Sequence, residues 1–137
     1  MKFNAILLTS AACLALAACS SAPKNPVPST SVGVIEEVQD IKAFPDTKNN
    51  KAKLIKLENK CIIEFTGMMD AGKARENWTF QGNTLYSATS TVVAKDGSST
   101  AQTFDLYDKG VQTNFLALKK NFSKENLEHC NTQATAQ

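Results

Sequence analysis

Histidine is all but missing from this chain, with His129 the single one. That scarcity removes most metal and acid–base arrangements at the outset. A zinc site wants about four ligands, and one histidine with Cys61 and Cys130 is a poor start. His129 adjoins Cys130, but a cysteine–histidine catalytic pair depends on spatial adjacency, and a paired cysteine carries no thiolate. G-x-S-x-G and phosphate-loop motifs are absent as well. No catalytic residue, cofactor or metal is therefore expected. Charge of one sign is lacking too: 15 Lys+Arg stand against 13 Asp+Glu. Such a balance gives no general pull toward nucleic acid, which is not expected as a partner. No apolar run reaches the ~20 residues that span a bilayer. The longest, Ala5 to Ala18, is 14 residues and is broken by Thr9 and Ser10.

What the chain does have is an address at its start. Met1-Lys2 is a short positive opening, an apolar stretch follows, and small residues close it, the three-part form of a secretory signal. The stretch ends Leu16-Ala17-Ala18-Cys19. This resembles the lipobox of bacterial lipoproteins: an apolar residue, two small ones, then cysteine. The resemblance covers only about the first twenty residues and identifies a processing class rather than a fold. It implies that residues 1–18 are removed and that Cys19 becomes a lipidated first residue, its thiol carrying a diacylglycerol and its new amino group acylated. Ser20 follows, and in enteric-type bacteria residues other than aspartate there generally permit transfer to the outer membrane. Multiple acyl chains make such an anchor stable where one chain binds only marginally. Two other readings compete. Ala15-Leu16-Ala17 fits ordinary cleavage to a soluble periplasmic protein, and Cys13 is a second cysteine, but Ser10-Ala11-Ala12 before it lacks the large apolar side chain.

Removing 18 of 137 residues leaves 119, enough for one domain with its own core. Four cysteines less Cys13 and Cys19 leave Cys61 and Cys130, an even pair in an exported chain, and a disulfide is expected between them. Residues 19–31 hold Pro23, Pro26 and Pro28 among serines. This composition cannot bury a core, so it reads as a tether from Cys19. Residues 32–130 form the single globular domain, and 131–137 a polar tail.

Within the domain, Val34, Ile35, Val38 and Ile41 fall at helical spacing ahead of Pro45, which favours a short N-terminal helix. Gly33 and the β-branched residues suit a strand as well. Phe44-Pro45-Asp46 then reads as a turn and Thr47 to Lys51 as a polar loop. Lys53–Leu57 pairs through Glu58-Asn59 with Cys61–Phe65, and Gly67–Gly72, with Met68 and Met69, reads as a loop. Glu76–Phe80 alternates, and Gln81-Gly82-Asn83 turns the chain into a long strand, Thr84–Ala94. Asp96-Gly97 is the strongest hairpin signal, leading into Thr100–Tyr107. Asp108-Lys109-Gly110 fits a further, three-residue hairpin, with Val111–Leu118 the last strand. Ser123 is placed to cap a short helix that runs to about Cys130. The fold class expected is α+β, mostly β: an antiparallel meander, as a curved sheet or small partial barrel, with a short C-terminal helix.

Lys48, Lys51, Lys53, Lys56 and Lys60 crowd a short segment diluted only by Glu58. They are the candidate anion- or partner-binding residues, although lysines that guard a strand edge give the same pattern. Trp78, Phe80, Tyr86, Phe104, Tyr107, Phe115 and Phe122 are more simply core than ligand groove. The function expected is a non-enzymatic binding or scaffold module, anchored at the outer membrane and facing another envelope protein or an anionic envelope component. An envelope enzyme with an unrecognised site, or an inhibitor of a host or competitor enzyme, is the alternative.

Overall fold

The computed structural model describes residues 32–42 and 46–131. The signal segment, Cys19, the tether, the turn at Phe44-Pro45 and the tail beyond Asn131 lie outside the described residues. Six strands form one sheet: β1 (Gly33–Gln39), β2 (Lys48–Lys56), β3 (Cys61–Met69), β4 (Gly72–Gln81), β5 (Thr84–Ala94) and β6 (Ser99–Thr103). Each pairs antiparallel with the next in sequence, so the order is β1-β2-β3-β4-β5-β6. The meander is open, and β1 and β6 are its edges. Two helices follow, α1 (Lys109–Lys119) and α2 (Lys124–Glu128).

One face of the sheet carries the core. Ala52, Leu54, Ile63, Phe65, Trp78, Phe80 and Ala88 point to it and meet Phe115 and Leu118 of α1, with Phe122 beyond. Burying the larger of these side chains contributes roughly 1.5–3 kcal/mol each. Trp78 stacks on Phe104 and Phe115 at ring-centroid distances of 5.3 and 6.4 Å, and Phe80 meets Phe115 edge-on at 5.2 Å. Five of the seven aromatics weighed above thus build or flank the core, while Tyr86 and Tyr107 are exposed.

The N-terminal helix is not formed; residues 33–39 are an edge strand. The reason is a bulge between Val34 and Glu36, where the register against β2 shifts. An extra residue in the ladder breaks strict alternation. Ile35 and Val38 therefore both pack on the core from one strand, three residues apart, which imitates helical spacing. Two expected loops also prove to be strand. β2 begins at Lys48, and Met68 and Met69 close β3, leaving only Asp70 and Ala71 as the turn before Gly72.

The largest revision lies at Val111–Leu118, which forms α1 instead of a sixth hairpin strand. Asp108 caps it, its carboxylate accepting from the Val111 N–H at 3.0 Å. An Asx cap and an Asp-initiated turn use the same side-chain chemistry, so the local signal is shared. Spacing decides it: Val111, Phe115 and Leu118 face the core together at i, i+4 and i+7. β6 correspondingly stops at Thr103, and Phe104 and Leu106 pack under the connection to α1.

Three features lie where expected. β5 spans Thr84–Ala94, Gly97 takes φ +86° in the turn after it, and Ser123 caps α2 by accepting from the Asn126 N–H. The Cys61 and Cys130 sulfurs are at bonding distance, 2.08 Å, which pins the chain after α2 to the first residue of β3. The Cys130 thiol is thereby spent, and the His129–Cys130 pair offers no thiolate.

Candidate functional site

Alternation along the strands places every second side chain on the sheet face that neither described helix covers. On β2 those residues are Lys51 and Lys53, and on β4 they are Lys73 and Arg75, with β3 between them. The register lines them up in rows across the sheet. Lys51 is opposite Thr66, Thr66 opposite Arg75, and Arg75 opposite Thr91. The neighbouring row is Lys53, Glu64, Asn77 and Thr89. On the other side Lys48, Met68, Lys73 and Val93 form a third. With strands ~4.8 Å apart, Lys51 and Arg75 stand about 10 Å from each other. Between them lies a shallow groove of about 590 Å³, floored by Glu64, Thr66, Asn77 and Thr91.

The charges in this groove are only partly compensated. Arg75 bonds the Glu64 carboxylate at 2.9 Å, and Lys53 lies 3.8 Å from Glu37. Lys51 and Lys73 have no ion pair among the described residues. Hydroxyl and amide groups beside two cations without an ion pair among the described residues make a surface suited to an extended acidic chain.

The lysines singled out from the sequence are divided by the fold. Lys48, Lys51 and Lys53 share the open face. Lys56 points the other way, is 4% exposed and lies 3.4 Å from the Glu58 carbonyl oxygen. Lys60 sits over the Tyr86 ring at 4.1 Å. The edge-guarding explanation also fails, because β2 is an inner strand between β1 and β3. Lys73 and Arg75 complete the cluster and were missed. The signal for them was the alternation of β4, which begins at Gly72 rather than at Glu76.

Two further clusters stand apart from this groove. Glu76 points to the core side, where a cavity of about 240 Å³ lies among Lys42, Phe65, Trp78, Asn114 and Leu118. Burial pushes its carboxyl above the ordinary glutamate value of 4.5, and the Trp78 indole N–H donated to it at 3.0 Å offsets part of that rise. The other is the junction of α1, α2 and the β4–β5 turn. There Lys119 donates to the Gly82 carbonyl oxygen at 2.6 Å and to Asn83 Oδ1 at 2.8 Å. Partial burial lowers the Lys119 pKa.

Among the described residues, no group of three His, Cys, Asp or Glu side chains could hold a metal ion. Compared with family models, curated proteins and solved structures, the chain finds no match. Its function therefore has to be argued from the geometry itself.

Proposed function

We propose that this chain is a lipid-anchored, non-enzymatic binding module of the bacterial outer membrane, whose open basic sheet face receives an acidic partner in the envelope. The observation that carries the binding role is the gathering of Lys51, Lys53, Lys73 and Arg75 on the face opposite the described helices, with two of the four lacking an ion pair among the described residues. Complementary charge of this kind speeds encounter and sets register more than it adds raw affinity. The address comes from Leu16-Ala17-Ala18-Cys19 followed by Ser20. A Cys61–Cys130 pair at bonding distance suits an exported chain.

The binding role is tested by crosslinking in intact cells. Changing Lys51 and Lys73 to Gln should reduce capture of the partner several-fold, and added salt should erase the difference because exposed charges are screened over roughly 8–10 Å. Equal capture by parent and variant at low salt would refute it. The anchor is tested separately by fatty-acid labelling, which Cys19→Ala should abolish.

A further inference from the structure

Besides the basic face, a second surface is left uncovered by the described residues. Between α1, α2 and the β4–β5 turn runs a groove of about 480 Å³, mostly apolar, lined by Leu116, Phe122 and Leu127. Lys120 and Lys124 stand exposed at its rim, with no ion pair among the described residues. Leu116 is 45% exposed on a helix otherwise folded onto the core. An apolar floor with a cationic rim matches the boundary of an anionic bilayer, where acyl chains lie just below phosphate groups.

Where the chain enters the sheet points to the same occupant. Gly33, the first residue of β1, lies in register with Lys56, which is opposite Cys61, which is opposite Phe80. This row ends beside Gly82 and Asn83, the turn that borders the groove. Val32 and Gly33 therefore lie at the end of the sheet that borders the groove. From Cys19 to Val32 the chain spans 13 residues, at most roughly 45 Å when extended. β1 and β4 are only three strand spacings apart, about 15 Å. A lipid on Cys19 can thus be inserted while the groove rests on the same bilayer.

We propose that the α1–α2 groove docks on the anionic headgroup layer of the membrane that holds the anchor. This rests on the lipid-anchor reading for its geometry. The open basic face lies on the opposite side of the sheet from the helices, so docking by the groove leaves that face turned outward for its partner.

The test uses residues 20–137, which contain every described element and lack the anchor, so it does not depend on whether Cys19 is acylated. Co-sedimentation with vesicles of phosphatidylglycerol and phosphatidylcholine should show binding that declines with salt, and vesicles of phosphatidylcholine alone should bind far less. Lys120→Gln with Lys124→Gln should weaken it tenfold or more, since each lysine near an anionic leaflet counts for about fivefold. Leu116→Gln should weaken it several-fold without lowering the melting temperature, and Lys51→Gln with Lys73→Gln should leave it unchanged. Absence of vesicle binding, or an equal loss from groove and open-face substitutions, would overturn the proposal. So would a dimer that Leu116→Gln disperses, because a second copy would then be the occupant.

Discussion

Glu76 illustrates what alternation imposes on a single residue. Its register partners Phe65 and Ser90 share its face, so the carboxylate is carried to the helix side of the sheet. Burial raises its pKa above 4.5, which means that ionisation is harder in the folded state than in the unfolded one. The sign follows from linkage. The unfolded chain loses this proton first, so stability falls as pH rises through 4.5 and on to the folded value, and below 4.5 there is no penalty. Glu76→Gln keeps an acceptor for the Trp78 indole and removes the charge. It should raise the melting temperature at neutral pH, with the advantage shrinking toward pH 4. A gain of equal size at both pH values would assign the effect to something other than ionisation. Two glycines allow a sharper comparison. Gly97 takes φ +86° in open space, so Gly97→Ala adds only backbone strain, about 1 kcal/mol. Gly72 takes φ +145°, and a Cβ there would run into the Val93 carbonyl oxygen and the Ala94 backbone. Because backbone cannot swing aside, Gly72→Ala should cost several times as much in urea unfolding.

Among the elements, α1 is the one where local chemistry pointed both ways. Asp108 and Gly110 suit a hairpin, and Val111, Thr113 and Phe115 alternate like a strand. Only the longer run through Leu118 shows the helical stripe, and the capping bond from Val111 commits the chain to it. Asp108→Ala should therefore destabilise by about 1 kcal/mol, as loss of a helix cap does. A loss near zero would mean that Phe115 and Leu118 hold α1 without help. β1 failed in the opposite direction, since its bulge is a tertiary feature that no window of residues displays. β5, the turns at Gly82-Asn83 and Gly97, and the α2 cap were legible because each depends on neighbours in sequence. The candidate site was half legible for the same reason. Lys51 and Lys53 stood out in a crowded run, whereas Lys73 and Arg75 join them only through the pairing of β3 with β4. Lys56 was drawn into the set by proximity in sequence, although one step along a strand reverses the face.

For the whole molecule, the link between Cys61 and Cys130 ties the helical side to the sheet. It closes a separation of 69 residues, for which the chain-entropy model gives roughly 4 kcal/mol. That is a large part of the ~5–15 kcal/mol that holds a small domain together. Other contacts hold α2 as well: the Glu36 carboxylate accepts from the Ser123 N–H and hydroxyl and from the Asn126 amide, all at 3.0–3.1 Å. The basic face draws its rigidity from a different source, the β2–β3–β4 ladder. Reduction should consequently act unequally on the two surfaces. Cys61→Ser should lower the melting temperature sharply and leave Cys130 reactive toward thiol reagents. Held well below that temperature, the variant should still bind its acidic partner through Lys51 and Lys73, because their strands stay paired. Vesicle binding through the α1–α2 groove should fall, because Phe122 and Leu127 lose the anchor at Cys130 that keeps them in register with Leu116. Measuring both associations on one preparation separates the outcomes. Loss of both together would mean that the domain unfolds as a single unit without the bond, and retention of both would mean that the Glu36 bonds, the Gly82 N–H donated to the Cys130 carbonyl oxygen and the packing of Leu127 suffice to seat α2.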